Sequence, residues 1–195
     1  MHAHEADPSV LAHCAAIVVA HDEADTAALI SLGEKVGFGM VTSSAQFSGN
    51  DWHIHRILYF LVHYGIGTEA KRQLLDRVRH AGSVNICFAP IVLFLQDGPG
   101  DEVLEYIEMG FDDVICLPEN SRIVSTRLAT QIGQEHTYIE TRTYLGPDRR
   151  RMELPDHIHP GRTDDHDYTN LTLLRTPEMG VQILRRQLII KARPT

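Results

Sequence analysis

Short runs of consecutive apolar residues constrain the fold of this chain more than any other feature. They occupy residues 15–20 (AAIVVA), 57–62 (ILYFLV) and 91–95 (IVLFL). A strand that is buried on both faces gives a continuous apolar run, whereas a strand with one solvent-exposed face alternates apolar and polar residues. The runs therefore predict the inner strands of a parallel sheet that is covered on both sides.

The segments between these runs complete an alternation of strands and helices. Residues 38–42 and 114–117 are predicted to be shorter strands. The spacing of apolar residues predicts helices over 25–36, 69–80, 101–109 and 121–132. This alternation predicts an α/β fold with a doubly wound, five-stranded parallel sheet. Such folds bind ligands at the carboxyl ends of their strands. The predicted strand ends lie near His21, His63, Leu95 and Leu117.

The chain is predicted to have three parts. Residues 1–14 show little periodicity and are expected to form a flexible leader, and residues 15–133 form the α/β domain. Residues 134–195 form a C-terminal extension. This extension is predicted to be partly irregular, because residues 155–170 are polar and lack periodicity.

One segment of the extension is apolar enough to dock on another surface. Residues 181–190 (VQILRRQLII) place Val181, Leu184 and Leu188 on one face of a helix. The same residues alternate poorly as a strand. We expect either a docking helix or a strand here, packed on the α/β domain or on another protein.

The charge distribution argues against nucleic acid as a partner. The net charge is −8, and residues 140–195 carry ten of the 18 basic but only eight of the 26 acidic side chains. The preceding part is therefore strongly acidic and repels a phosphate backbone. No stretch approaches the roughly 20 apolar residues of a membrane span. We expect a cytoplasmic protein without membrane contact.

Three motifs resemble the receiver domain of bacterial two-component response regulators. They are IVVAHDEAD (17–25), APIVLFL (89–95) and GFDDVICLPEN (110–120). They are similar to the first strand with its acidic pair, the fourth strand, and the fifth strand with its Lys-Pro dipeptide. The resemblance covers residues 15–133 and implies a flavodoxin-like sheet.

The resemblance also implies that the phosphoryl-transfer groups of the family are largely missing. In the family, acidic residues hold Mg²⁺, an aspartate accepts the phosphoryl group, and a hydroxyl residue and a lysine assist. Of five such positions only Asp22 keeps its group. The others are occupied by His21, His63, Leu95 and Leu117. No Asp or Glu lies between Asp51 and Glu69 to serve as another acceptor. We expect no catalysis and no cofactor.

Some of the remaining polar residues allow other hypotheses. His63 could itself be a nucleophile, although it would lack a metal and a lysine. Asp22 is a weak metal candidate, and its alternative role is to cap the first helix. The His-x-His pairs do not point to further ligands, so we predict no metal site. These pairs are His2/His4, His53/His55 and His157/His159.

The resemblance suggests that the protein acts by binding signalling proteins. Receiver domains commonly pair through the face of their fourth helix, fifth strand and fifth helix. In this chain that face is residues 101–133, which suggests a homodimer or a docking module. Its candidate charged contacts are Asp112, Asp113, Arg122 and Arg127.

Three consecutive arginines in the extension support an alternative function. Arg149, Arg150 and Arg151 follow a Gly-Pro-Asp turn in TYLGPDRRR (143–151). Guanidinium groups bind carboxylates and phosphates bidentately. The motif resembles the arginine-rich opening of PilZ-type cyclic-di-GMP receptors, although the expected downstream element is absent. A cyclic-dinucleotide or other phospho-ligand receptor is therefore the alternative hypothesis.

Overall fold

The computed structural model of the chain describes residues 6–47, 57–96, 100–148 and 167–190. Within them, the first part has the following elements in order: a 3₁₀ helix Pro8–His13, β1 Cys14–Val19, α1 Glu23–Val36, β2 Met40–Ser43, β3 Ile57–His63, α2 Thr68–Arg79, α3 Val84–Cys87, β4 Ile91–Gln96, α4 Gly100–Met109, β5 Asp113–Leu117 and α5 Ser121–Ala129. The second part has strands β6 Glu135–Glu140, β7 Leu145–Pro147, β8 Tyr168–Thr176 and β9 Gly180–Ile189.

The first five strands form one parallel sheet in the order β2-β1-β3-β4-β5. This is the strand order of the flavodoxin-like fold, whose chain direction switches between β1 and β3. The predicted α/β fold class is therefore confirmed, and the observed strands lie within two residues of the predicted ones. The short helix α3 was not predicted.

The apolar runs are explained by two hydrophobic cores, one on each side of this sheet. Ala16, Tyr59 and Phe94 point to the core that α1 and α5 cover. Ile17 and Phe60, their neighbours in sequence, point to the core on the opposite side, which α2 covers. Because successive side chains of a strand point to opposite faces, both sets must be apolar. The inner strands consequently have no wet face.

The second sheet is antiparallel, with the order β7-β6-β8-β9. Tyr138, Leu171, Leu173 and Val181 belong to the same core as α1 and α5. The C-terminal extension therefore packs on the α/β domain. The irregular structure predicted for 155–170 is wrong for residues 168–170, which begin β8; residues 155–166 lie outside the described residues.

The docking helix that we considered for residues 181–190 is wrong, because this segment is the edge strand β9. It pairs with β8 along its length, with a register shift at Thr172/Leu173. Most of β9 is exposed, including Leu184 at 48% and Leu188 at 61%. A bulge and a strand that extends beyond the core explain why its sequence does not alternate.

The prediction of a flexible leader is wrong for residues 8–13. Asp7 caps the 3₁₀ helix by accepting a hydrogen bond from the backbone N–H of Ser9 (2.9 Å), and Pro8 opens it. Leu11 is fully buried in the core that α1 and α5 cover. Burial of this side chain provides the free energy that orders the turn. None of the described helices is both long and apolar enough to cross a membrane.

Candidate functional site

The carboxyl ends of β1 and β3 place two carboxylates and a histidine at the switch point of the sheet. Asp22 and Asp25 belong to the cap and first turn of α1, directly after β1. His63 is the last residue of β3, and β3 pairs with β1. His21 lies beside them and is exposed. The sequence analysis correctly predicted that β1 and β3 end near His21 and His63. It did not predict that Asp25 contacts His63.

His63 and Asp25 form a pair across this switch point. Nδ1 of His63 lies 3.0 Å from Oδ2 of Asp25, with side chains 12% and 30% exposed. The backbone N–H of Gly65 also approaches Nδ1, at 3.3 Å. One ring nitrogen cannot both donate to Asp25 and accept from Gly65. The shorter contact, to a carboxylate, favours the tautomer with the proton on Nδ1.

Gly65 allows this pair to form. A Cβ at position 65 would lie 3.1 Å from Nδ1 of His63 and 3.2 Å from Oδ2 of Asp25. These distances are tighter than ordinary van der Waals contact, so with any other residue here the His63 ring or the Asp25 carboxylate would have to shift by a few tenths of an ångström. The glycine is required by close approach rather than by an unusual backbone angle.

Of the two leucines near the ends of β4 and β5, Leu95 is buried and Leu117 is half-buried. Leu95 is 3% exposed and belongs to the core covered by α2. Leu117 packs against the core on the other side of the sheet. Both positions therefore contribute only carbon atoms, where the receiver domains that the sequence resembles have a hydroxyl group and an ammonium group. At these positions the side chains offer neither a hydrogen-bond donor nor a positive charge.

A buried lysine near this edge was missed by the sequence analysis. The Nζ of Lys71 donates to the carbonyl oxygen of Tyr64 (2.8 Å) and lies 3.4 Å from the hydroxyl of Tyr106. The ammonium also lies 4.7 Å from the Tyr106 ring centroid. Burial lowers the pKa of Lys71, and Glu102 and Glu105 partly offset this effect. The signal was its spacing, because Lys71 precedes Leu75 by four residues on the apolar face of α2.

Asp112 is not a surface contact, which corrects the prediction for this residue. Its carboxylate is 3% exposed and lies 2.6 Å from Nη2 of Arg79 and 3.4 Å from Nη2 of Arg175. It also accepts from the backbone N–H of Ile91 (2.7 Å) and from the hydroxyl of Tyr138. Burial alone would raise the pKa of Asp112, but the two guanidinium groups outweigh it and the pKa is lowered.

Arg175 connects this buried cluster to the second sheet. It is fully buried, and it donates to the carbonyl oxygen of Phe88 (2.9 Å), to Oε1 of Gln131 (3.0 Å) and to the hydroxyl of Tyr138 (2.7 Å). Because β8 alternates, Arg175 points inward with Leu171 and Leu173. The alternation could have revealed its burial, but an arginine is seldom assigned to a core.

The other predicted contacts of the 101–133 face have mixed positions. Asp113 is bound within the chain to Arg127, and their side chains are 17% and 43% exposed. Arg122 is exposed, and its neighbour Ile123 is 49% exposed. The exposed part of the face near α5 therefore consists of Arg122, Ile123 and part of Arg127.

Several predicted site residues lie outside the described residues. They are Arg149, Arg150, Arg151 and the pairs His2/His4, His53/His55 and His157/His159. Over the described ranges, no three His, Cys, Asp or Glu side chains are grouped so that they could hold a metal ion. The oxygen Oδ1 of Asp22, the weak metal candidate, accepts the backbone N–H of Asp25 at 2.8 Å.

The strand order and the two covered faces define a receiver-like, flavodoxin-like α/β domain joined to an antiparallel sheet. No protein-family model matches the chain, and no curated protein matches it. Among solved structures it is similar to the signal receiver domain of a signal transduction histidine kinase from Syntrophus aciditrophicus. The identity is 15% over 62% of this chain and 92% of that domain, with a TM-score of 0.41. The fold assignment rests on the strand order of the chain itself.

Proposed function

We propose that this chain is a phosphorylation-independent, receiver-like signalling protein that acts by binding other signalling proteins and catalyses no reaction. The observation that carries the proposal is the strand-end edge. There His63 is held by Asp25, while Leu95 and Leu117 fill the neighbouring positions with carbon. An edge of this composition lacks the groups that phosphoryl transfer to a carboxylate requires.

The two carboxylates at the edge are already engaged. Asp22 accepts the backbone N–H of Asp25, and Asp25 contacts the ring of His63. A hard cation such as Mg²⁺ needs about six oxygen ligands in nearly octahedral geometry. The cap uses Oδ1 of Asp22 and the His63 contact uses Oδ2 of Asp25, so these two carboxylates supply only a small part of such a ligand set. This weighs against a divalent cation at this edge.

A transferring phosphoryl group would also meet no uncommitted positive charge among the described side chains of this edge. Preorganised charges supply much of the stabilisation in such transfers. Lys71, on the helix that follows β3, is a candidate, but its ammonium donates to the Tyr64 carbonyl and faces the Tyr106 ring. Leu117, at the end of β5, supplies no charge. These contacts support a domain that signals by binding other proteins through its surface rather than by phosphoryl transfer.

The face formed by α4 and α5 supports a second copy of this chain as one partner. On α4, Glu102 and Glu105 are exposed and acidic; on α5, Arg122 is exposed and basic, beside the apolar Ile123. A two-fold axis brings the α4 residues of one copy against the α5 residues of the other. The opposite charges then complement each other around an apolar contact. We propose a homodimer through residues 101–133.

The test of the missing chemistry is incubation with acetyl phosphate and Mg²⁺, followed by intact mass spectrometry. We expect no magnesium-dependent gain of a phosphoryl group. The His63→Gln variant is the matched control, because it removes the possible nucleophile and keeps a polar side chain. A mass gain in the unaltered chain that disappears in His63→Gln would assign phosphoryl acceptance to His63 and overturn the proposal.

A further inference from the structure

A cleft lies between α2 and the turn that joins β6 to β7, on a different part of the molecule from the strand-end edge. Its volume is about 140 Å³. One wall is formed by Arg72, Arg79 and His80, and the opposite wall by Thr143 and Tyr144. The cleft therefore lies at the junction between the α/β domain and the C-terminal sheet.

The buried cluster behind this cleft contains more positive than negative charge. Arg79 and Arg175 are both buried, and they share one carboxylate, that of Asp112. Asp112 contributes a single negative charge, so among the described residues one guanidinium charge is not neutralised by a buried carboxylate. A buried charge without a counter-charge is costly because the interior solvates it poorly.

Two titratable groups that lie closest to these charges, Tyr138 and His136, do not supply the missing negative charge. Burial raises the pKa of Tyr138 well above its ordinary value, so its hydroxyl keeps the proton. Burial and the charge of Arg175 lower the pKa of His136 to about 4, so its ring is neutral at physiological pH. The cluster retains a net positive charge.

Arg79 links this cluster to the cleft. Its Nη1 donates to the carbonyl oxygens of Cys87 and Ala89, each at 2.9 Å, and its Nη2 contacts Asp112. Its Nε, in contrast, has no hydrogen-bond partner within the described residues, although the side chain is only 3% exposed. The wall of the cleft thus contains a buried cation with an unused donor.

Charged side chains at the rim of the cleft do not remove this excess positive charge. Arg72 is exposed and forms no ion pair with any residue that the structure describes. Asp76 also lines the cleft, but its carboxylate lies 3.1 Å from Nδ1 of His80. Arg72 offsets the charge of Asp76, so the excess positive charge of the cluster remains.

We propose that this cleft binds a small oxyanion, whose charge compensates the excess positive charge that Arg79 and Arg175 leave beside Asp112. Guanidinium groups recognise phosphate and carboxylate oxygens through charge-assisted hydrogen bonds. Sites that enclose a nucleotide or a drug-sized ligand measure roughly 300–1,000 Å³. A cleft of about 140 Å³ accommodates one phosphate or carboxylate group with a small substituent.

The experiment is a titration of the full chain with inorganic phosphate and, separately, with acetate at constant ionic strength. Binding is followed by backbone amide NMR shifts and by the thermal unfolding midpoint. We expect saturable shifts confined to α2 and the β6–β7 turn, and a rise in the midpoint because the anion binds only the folded state. The anion that binds with the higher affinity identifies the ligand class as phosphate or carboxylate.

Two variants of exposed arginines on the same helix make the test specific. Arg72→Gln removes a cleft charge, and we expect it to weaken binding about tenfold, as loss of one charge-assisted hydrogen bond does. Arg77→Gln removes the same charge from an exposed residue of α2 that does not line the cleft. We expect it to leave the affinity almost unchanged.

Two results would overturn the oxyanion site. One is shifts that rise linearly without saturation for both anions. The other is an equal loss of affinity in Arg72→Gln and Arg77→Gln, which would mean general attraction to a basic helix. Neither result bears on the mass-spectrometry test of His63, so this inference and the proposed function can fail independently.

Discussion

Oδ2 of Asp112 lies 2.6 Å from Nη2 of Arg79, and both side chains are only 3% exposed. Asp112 directly precedes β5, and Arg79 is the last residue of α2. With Arg175 of β8, this pair forms a polar centre where the α/β domain meets the C-terminal sheet. The stability of the whole chain should therefore depend on one carboxylate.

Asp112→Asn should be strongly destabilising. The change removes the counter-charge of two buried guanidinium groups, and breaking a buried ion pair from one side costs about 3–5 kcal/mol. The measurement is the free energy of unfolding in urea. Asp113→Asn is the matched control, because the Asp113–Arg127 pair is partly exposed and should cost less than about 1 kcal/mol. Equal losses in the two variants would contradict the assigned role of Asp112.

Stability should fall between neutral pH and pH 5 because of His136. Its pKa in the folded chain is lowered from 6.5 to about 4, mainly by burial. In this interval the unfolded chain therefore binds a proton that the folded chain excludes. The contribution of His136 to the free energy of unfolding is complete above its unfolded pKa of 6.5, and it declines as the pH falls towards 4.

The size of the pH effect can be measured by comparing His136→Gln with the unaltered chain. From pH 7 to pH 5 the His136 contribution should decrease by about 2 kcal/mol. Urea unfolding at the two pH values gives the difference. The His136→Gln variant should lose less stability than the unaltered chain over the same interval. The same loss in both proteins would show that His136 does not carry the effect.

Gly65→Ala should disturb the His63–Asp25 pair. The added methyl group would lie 3.1 Å from Nδ1 of His63, so the ring or the carboxylate must move, at a cost of roughly 1 kcal/mol. Gly82→Ala is the control, because no atom lies within 4 Å of its Cβ position. Thermal unfolding and the imidazole NMR signals of His63 report the change. Unaltered His63 signals in Gly65→Ala would contradict this account of the pair.

Charge reversal on α5 should weaken the proposed homodimer. Arg122→Glu places like charges against Glu102 and Glu105 of the second copy, so we expect the dissociation constant to rise about tenfold or more. Adding Glu105→Arg should restore part of the affinity. Sedimentation velocity over a wide concentration range measures both effects, with Arg77→Glu on α2 as the control. A monomer at every concentration, or the same loss in the control, would refute the dimer.

The sequence by itself determined the sheet. A buried strand needs apolar residues on both faces, and this requirement is local, so it is visible in the runs at 15–20, 57–62 and 91–95. The sequence also located the strand ends, including His63, because a run and its end are adjacent in the chain. It left β9 open between a helix and a strand, since the exposed part of an edge strand lacks the alternation that burial imposes.

Only the tertiary structure decided which charged residues are buried. Arg79 and Arg175 stand 33 and 63 residues from Asp112, and each lies in a segment where a charge normally faces water. Their burial depends on α2, β5 and β8 meeting at one point. The alternation of β8 marks position 175 as inward, but only the meeting of these elements supplies the counter-charge and the carbonyl groups that offset desolvation of the two guanidinium groups. The cleft beside Arg79 arises from the same junction.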